Sequence, residues 1–239
     1  MSALFANYLS STGELESEIS AVIVRAQKTF TAYIEPHLGA QHDARILDLG
    51  CGFGRNVLAA RRRGFGNISG IDISPEQVTF GRSTLGLDNI TVADALAHLA
   101  HAEAAFDAIL LIDVLEHCDT VYAVELLSAI RRALVPGGRL LVQVPNGMTP
   151  LAPNYLGDVT HVRPYSSSSL AQILRMGGFR KFLLNEQPPI AVGARGIVRN
   201  LLWRLLLKPM IRAYLLAATG SDQGRIYTPN LMAVAIKAE

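Results

Sequence analysis

The stretch from Ile46 to Asn56 constrains the fold of this chain more than any other part of the sequence. A short apolar run carries one acid, Asp48, and leads into a loop in which every second residue is glycine. Glycine lets the backbone approach a ligand where a side chain would collide. A segment of helical character follows, and the free N–H groups at a helix N-terminus point at such a ligand. The stretch predicts a nucleotide-type cofactor site at the first strand–helix turn of an α/β sheet.

The rest of the pattern supports one α/β domain with additions. Apolar runs alternate with helical periodicity, and Phe106–Ile112 is uninterrupted, as expected for a central parallel strand covered on both faces. Right-handed crossovers then bring the ligand site to the carboxyl ends of the strands. The strands are predicted at 45–49, 67–72, 89–92, 106–112, 139–144, 179–184 and 231–236, and the main helices at 14–34, 56–63, 74–85, 120–134 and 170–176.

Composition narrows the class of protein. The 239 residues are 50% hydrophobic with a net charge of +2, which predicts a large core and no general attraction to nucleic acid. The two cysteines, Cys51 and Cys118, are expected to be reduced thiols of a cytoplasmic protein. The sequence shows neither a secretory signal nor an apolar run long enough for a transmembrane helix.

Three sequence features distinguish a dinucleotide from other nucleotide-type cofactors. A dinucleotide-binding loop needs a third glycine one position after Gly54, where this chain has Arg55. Asp72 ends the second strand and can accept hydrogen bonds from both hydroxyls of a ribose. Asp94 follows the third strand, where it can accept from an adenine amino group or cap the next helix. The order and spacing of these residues favour an adenosyl cofactor without a dinucleotide.

Successive motifs of the chain resemble those of class I S-adenosylmethionine-dependent methyltransferases. They are Asp-Leu-Gly-Cys-Gly-Phe-Gly at 48–54, Gly-Ile-Asp-Ile-Ser at 70–74, Ala-Asp-Ala at 93–95, Phe-Asp-Ala-Ile-Leu-Leu-Ile-Asp-Val-Leu-Glu-His at 106–117 and Leu-Val-Pro-Gly-Gly-Arg-Leu at 134–140. The resemblance implies a doubly wound, mostly parallel, seven-stranded sheet in the order 3-2-1-4-5-7-6 with the last strand antiparallel. It also implies S-adenosylmethionine as the cofactor.

The resemblance assigns roles to residues of the cofactor site. Asp48 would help to hold the methionine amino group, Asp72 the ribose and Asp94 the adenine, while Asp113 would line the sulfonium end of a cleft that Asp48 also rims. The complete implied set is Asp48, Gly50, Cys51, Gly52, Asp72, Ile73, Asp94, Ala95 and Asp113.

Four segments are expected. Residues 1–40 would form a helical lid over the cofactor side, 41–184 the cofactor-binding core, 185–229 a basic apolar helical insert and 230–239 the last strand of the sheet.

Histidine is the first candidate for a catalytic base, since its ordinary pKa lies near neutrality. Val-Leu-Glu-His at 114–117 resembles the ubiquinone-biosynthesis type of O-methyltransferase, in which a hydroxyl accepts the methyl group. We expect His161 to be the base, oriented by Asp158 on the same loop, with His117 next in rank. Each histidine could instead be a hydrogen-bonded loop residue. His98 and His101 are expected to be solvated, and no metal site is predicted.

The insert is the least ordinary part of the chain. No acid occurs between Gln187 and Ser221, whereas five cations occur among many apolar residues. Pro209 should break or kink the segment into two helices. The segment is interpreted as a cap or a dimer element, or as a contact with the inner membrane face or an anionic acceptor through 195–216. The cations are Arg195, Arg199, Arg204, Lys208 and Arg212.

The leading hypothesis is methyl transfer to a hydroxyl of a small molecule or sugar. The C-terminal third resembles methyltransferases found among bacterial surface-polysaccharide enzymes, which suggests a glycan acceptor. Two other functions stay open: an NAD-binding oxidoreductase, and an inactive methyltransferase-like partner subunit. Nucleic-acid methylation is disfavoured because Asp113-Val114-Leu115-Glu116 stands where an amino-methylating enzyme has Asn/Asp-Pro-Pro-aromatic.

Overall fold

The fold is built on a seven-stranded sheet in the order β3-β2-β1-β4-β5-β7-β6. The computed structural model describes residues 5–6, 8–11, 16–39, 42–222 and 224–238. Strand β7 runs antiparallel to both β5 and β6, and the other pairs are parallel. The predicted fold class and strand order are confirmed. The strands are β1 Ile46–Leu49, β2 Ile68–Asp72, β3 Ile90–Val92, β4 Phe106–Ile112, β5 Leu134–Pro145, β6 Lys181–Glu186 and β7 Asn230–Ile236.

Helices cover both faces of the sheet. They are α1 Tyr8–Ser11, α2 Glu16–Thr29, α3 Arg55–Arg62, α4 Pro75–Leu85, α5 Ala95–Leu99, α6 Thr120–Ala133, α7 Pro153–Leu156, α8 Ser167–Met176, α9 Gly193–Leu202 and α10 Lys208–Thr219. Two five-residue π-helical turns, Phe30–Ile34 and Trp203–Leu207, and two short 3₁₀ turns, Glu35–His37 and Leu115–His117, complete the described elements.

Strand β4 lies at the centre of the hydrophobic core. Ala108, Ile109, Leu110 and Leu111 are buried and divide between two apolar clusters, one associated with α6 and α8 and the other with α3 and the segment after α2. The apolar run that predicted a strand covered on both faces is therefore explained, since parallel strands of this kind are shielded by helices on each side.

Strand β5 begins earlier than the sequence indicates. The pattern predicts a helix to Leu134 and a strand from Arg139, with Pro136-Gly137-Gly138 as a break. Helix α6 ends at Ala133 instead, and the strand starts at Leu134. Gly137 adopts a positive φ of 76° and donates its N–H to the carbonyl of Lys237, so the chain stays within the sheet through an irregular turn.

The N-terminal segment contributes to the cleft through its first residues. Helix α2 packs against α3, and Phe30 and Ile34 behind it are buried in the core. The N-terminal side chains that line the cleft are instead Phe5, Tyr8 and Leu9. The lid over residues 1–40 stays a prediction, and Glu14 and Leu15 of the predicted helix lie outside the described residues.

Residues 193–219 form one continuous helical run, here called the insert helix. Leu202, Trp203, Leu207 and Lys208 all have right-handed helical dihedrals, and the Lys208 N–H donates to the carbonyl of Trp203. The chain does not break at Pro209, and instead a π turn at Trp203–Leu207 separates two α-helical segments, which accommodates the ring and the missing N–H of the proline. None of the helices in the described residues is long and apolar enough to cross a membrane.

Candidate active site

The glycine loop after β1 has the conformation that its sequence predicts. Gly50, Gly52 and Gly54 have φ values of 71°, 57° and 86°, in the left-handed region that other residues avoid. A Cβ at Gly50 would lie 2.4 Å from Cγ2 of Val114, and one at Gly54 would lie 2.4 Å from Cδ1 of Leu87. The loop therefore requires glycine both for its backbone and for the close approach of its neighbours.

Asp72 is fixed against the glycine loop. Its Oδ2 accepts a hydrogen bond from the N–H of Gly52 at 2.7 Å, and its Oδ1 accepts one from the N–H of Ser74 at 2.8 Å. Burial raises the pKa of Asp72, and these backbone N–H groups oppose that shift. The end of β2 thus presents a rigidly oriented acid beside the loop.

A cleft of about 590 Å³ opens at the carboxyl ends of β1 to β4. This volume is in the range of small-molecule and cofactor sites. Eight of the nine residues that were predicted to contact the cofactor line this cleft: Gly50, Cys51, Gly52, Asp72, Ile73, Asp94, Ala95 and Asp113.

Asp48 is the exception. Its side chain is fully buried, and the side chain of Asn56 lies close enough to act on its carboxylate as a donor, although neither oxygen has a well-formed hydrogen bond to the described residues. Burial raises its pKa to about 7, and the charge of Arg55 opposes this shift. The structure places Asp48 behind the wall of the cleft, not on its rim, so its contact with a cofactor stays a prediction.

Asp94 caps the helix that follows it. Its Oδ1 accepts from the N–H of Ala97 at 2.9 Å, and its Oδ2 lies 3.4 Å from the donating hydroxyl of Tyr122. Asp94 therefore acts as a helix cap, which is one of the two roles that the sequence left open. Because Asp94 also lines the cleft, the cap does not remove it from the candidate site.

Asp113 already has cationic and amide partners. Arg55 Nη2 lies 2.9 Å from its Oδ2, and Gln143 Nε2 donates to its Oδ1 at 2.9 Å. Asp113 also has a φ of 57°, which is costly for a residue with a side chain and is typical of functional sites. Asp113 lines the cleft as expected, and its charge is paired with Arg55. No spacing in the sequence indicates the contacts of Arg55 and Gln143 with Asp113.

His161 is oriented by a backbone carbonyl. Its Nδ1 lies 2.7 Å from the carbonyl oxygen of Tyr155, which can only accept, so Nδ1 donates a proton there and Nε2 stands outside this hydrogen bond. The expected pairing with Asp158 is wrong. Asp158 accepts instead from the N–H and the hydroxyl of Thr160, at 2.8 and 2.6 Å, and from the hydroxyl of Tyr8.

Asp158 is connected to the other histidine. The single hydroxyl proton of Thr160 is donated to Asp158, so Thr160 Oγ1 accepts from His117 Nδ1 at 2.9 Å. Nε2 of His117 stands outside this hydrogen bond as well. The two imidazole rings lie 4.7 Å apart between centroids, and burial together with His161 lowers the pKa of His117.

Glu116 completes this group, and the sequence analysis gave it no role. It is fully buried, its carboxylate oxygens lack partners among the described residues, and burial raises its pKa well above the ordinary value. Its Oε1 lies 3.9 Å from Nε2 of His161. Glu116, His117 and His161 each offer a ligand atom within 4.8 Å of the others, so they could also hold a metal ion. The only signal in the sequence was that Glu116 adjoins His117.

Comparison with known proteins defines the class of this site. Residues 22–183, well over half of the chain, match the family model described as "Methyltransferase domain". The chain therefore belongs to this family of methyltransferases, and the resemblance seen in the motifs is confirmed.

Curated relatives match part of the chain. O-methyltransferase rstn1 of Aspergillus nomiae is 32% identical over 123 residues, covering 49% of this chain and 53% of the relative. O-methyltransferase resE of Aspergillus sclerotiorum is 29% identical over 169 residues, covering 65% and 62%. The chain spans about half the length of the curated relatives it matches.

Solved structures share the fold. A SAM-dependent methyltransferase from Archaeoglobus fulgidus superposes with a TM-score of 0.66 at 21% identity, covering 90% of this chain and 94% of the other. Phosphoethanolamine N-methyltransferase 2 of Haemonchus contortus, in complex with S-adenosyl-L-methionine, gives a TM-score of 0.60 at 17% identity, covering 98% of this chain and 60% of the other.

Proposed function

We propose that this protein binds S-adenosylmethionine in the cleft and transfers its methyl group to a hydroxyl of a small molecule or sugar. The observation that carries the proposal is the hydrogen bond from the N–H of Gly52 to Asp72. It fixes a carboxylate beside the glycine loop, where a ribose could lie directly against the backbone. Membership of the methyltransferase family and the names of the O-methyltransferase relatives support the reaction type.

The residues present fit this cofactor. Asp72 would bind the ribose hydroxyls, and Asp94 the adenine amino group through Oδ2, which lies outside the helix cap and can accept a second hydrogen bond beside that of Tyr122. Asp48 is a buried acid without a well-formed hydrogen bond to the described part of the chain, which suits it to an ammonium group. When bound, the cofactor supplies a methyl group already activated by a positively charged sulfur.

The protein's own part in the reaction is to position the acceptor and receive its proton. In-line positioning replaces a bimolecular encounter and supplies much of the rate. Nε2 of His161 is the proposed base, because Nδ1 is held by Tyr155 and the ring lines the cleft. Glu116, 3.9 Å away, would stabilise the imidazolium that forms, and His117 is the second candidate. Asp158 is proposed to position His117 through Thr160.

A metal-assisted form of the same reaction is the second candidate. It is favoured by the close approach of ligand atoms from Glu116, His117 and His161. Each histidine has its Nδ1 held by an oxygen, as is usual for the outer ring nitrogen of a metal ligand. Loss of activity with EDTA and its recovery with one divalent ion would favour this form. Full activity after EDTA treatment would leave His161 as the base.

We also propose a chemical class for the acceptor and a cellular location for the reaction. A glycan acceptor from surface-polysaccharide synthesis, acted on in the cytoplasm, is supported by the resemblance of the C-terminal third of the sequence. A soluble hydroxyl acceptor is supported by the O-methyltransferase relatives. Methyl transfer from labelled S-adenosylmethionine to a panel of sugars and phenols discriminates between the two.

Calorimetry tests the proposal directly. We expect S-adenosylhomocysteine to bind and NADH not to bind. Asp72→Asn should weaken S-adenosylhomocysteine binding on the order of tenfold to a hundredfold, since it loses a charge-assisted acceptor. Asp107→Asn is the matched control, because Asp107 pairs with Arg45 away from the cleft. Binding of NADH, or equal affinity in both variants, would overturn the cofactor assignment, and binding without transfer to any acceptor would indicate an inactive partner subunit.

A further inference from the structure

The insert helix exposes far more apolar surface than the other helices around the sheet. Ten of its large apolar side chains are exposed by 43–74%, although soluble proteins rarely leave such patches uncovered. They are Ile197, Val198, Leu201, Leu202, Leu205, Leu206, Leu207, Met210, Tyr214 and Leu216.

This exposed surface is separate from the contacts that hold the helix in place. Trp203 and Leu215 are buried against Tyr227, with Met148 from the loop after β5 beside them. Asn200 fixes the helix further by donating to the carbonyl of Pro189 at 2.7 Å. In α9, Ile197, Val198, Leu201 and Leu202 recur at the spacing of one helix face. The outward apolar face is therefore available to a partner.

The charges on the insert helix divide into two groups. Lys208 pairs with Glu186 at 2.7 Å and Arg212 lies 3.5 Å from Asp222, which corrects the expectation of five cations without a counter-charge. Arg195, Arg199 and Arg204 are exposed and form no ion pair with any residue that the structure describes. Arg195 and Arg199 are four residues apart and so share one side of α9.

We infer that the insert helix binds an anionic membrane surface, with its apolar face in the headgroup–acyl boundary and the three arginines on the lipid phosphates. Apolar residues flanked by cations on one helix are the pattern of an interfacial helix. A second copy of the chain fits less well. In a twofold dimer the insert helix would contact the same surface of the second copy. The segment from 187 to 221 has no acidic residue that could pair with the arginines of that copy.

Vesicle co-sedimentation of the full chain tests the inference. We expect binding to vesicles of phosphatidylcholine with 30% phosphatidylglycerol, weak binding to phosphatidylcholine alone, and a decrease with added salt. The triple variant R195Q/R199Q/R204Q should partition roughly a hundredfold more weakly, at about fivefold per arginine. The matched control R25Q/K28Q/R180Q removes three exposed cations outside the insert helix and should bind like the wild type.

Three outcomes would overturn the inference. The first is equal loss of binding in both triple variants, which would indicate that binding depends on the net charge of the protein and not on the insert helix. The second is no binding to anionic vesicles. The third is a wild-type dimer in solution that Leu205→Ser/Leu206→Ser converts to a monomer, which would assign the surface to a second copy. Calorimetry with S-adenosylhomocysteine on the same variants separates these results from failure of the proposed function, since the cofactor residues lie elsewhere.

Discussion

At the scale of single residues, the site combines buried acids with histidines of defined tautomer. Asp48 and Glu116 are buried without well-formed hydrogen bonds to the described residues, and burial raises the pKa of each. His161 and His117 each have Nδ1 directed at an oxygen, and Nε2 of His161 lies 3.9 Å from the carboxylate of Glu116. Buried acids with raised pKa values beside imidazole rings are typical of functional sites.

Replacement of His161 tests the proposed base. We expect His161→Ala to lower kcat on the order of a hundredfold or more, because general-base catalysis contributes at least that much. Its affinity for S-adenosylhomocysteine should not change. His98→Ala, an exposed histidine on α5, is the control and should retain full turnover. Turnover of His161→Ala close to that of the wild type would transfer the role to His117.

The raised pKa of Asp48 predicts a pH dependence of stability. The unfolded carboxyl ionises near its ordinary pKa of about 4, while the folded one keeps its proton to about pH 7. Between these values the folded state binds one more proton, so its stability falls as the pH rises, by up to about 1.4 kcal/mol per pH unit. Glu116 adds to the same trend.

Melting curves of the cofactor-free protein between pH 5 and 7.5 test this. Asp48→Asn should flatten the decline in melting temperature relative to the wild type. Glu116→Gln should do the same independently, because the two acids titrate at different places in the fold. An unchanged slope in Asp48→Asn would show that its carboxyl is ionised in the folded protein.

At the scale of elements, local sequence signals set several of the helix ends. Ser74 caps α4 through the N–H of Gln77, as its position before Pro75 predicts. Ser166 caps α8 in a capping box, in which Ser169 returns a hydrogen bond to the backbone of Ser166. Where the chain departs from prediction, at Pro209, the helix widens into a π turn and continues.

Removal of the α8 cap should have a measurable cost. Ser166→Ala is expected to lower the free energy of unfolding by about 1 kcal/mol, because the N–H of Ser169 loses its acceptor. Ser168→Ala is the neighbouring control, since the hydroxyl of Ser168 bonds to the hydroxyl of Ser166 and not to a backbone N–H of the helix end. The free energy of unfolding of both variants is measured in urea. Equal values for Ser166→Ala and Ser168→Ala would mean that water replaces the cap.

At the scale of the whole molecule, the cofactor should act as a stabiliser. S-adenosylhomocysteine at a hundred times its Kd is expected to add about 2.7 kcal/mol, since it binds the folded state alone. For a chain of this size the melting temperature should rise by roughly 5–10 °C. Asp72→Asn should show a smaller rise at the same concentration. The same rise in both proteins would place the ligand away from Asp72.

The sequence predicted what depends on local pattern, and missed what depends on distant contacts. The glycine loop and Asp72 follow from motifs of a few residues at regular spacing, and the strand order was implied by the resemblance of those motifs to a known family. The pairing of Arg55 with Asp113, and of Asp158 with Thr160 and Tyr8, joins loops that have no periodicity. Such contacts arise only when the sheet brings strand ends together, so no spacing rule reveals them.

The hydrogen bond between Tyr8 and Asp158 joins positions 150 residues apart in the lining of the cleft. Phe5 adds an edge-on contact with the ring of His117. In the proposed reaction, an acceptor that reaches the two histidines would share the cleft with Phe5 and Tyr8. Access to the proposed base would then depend on side chains that lie far in the sequence from the motifs that define the family.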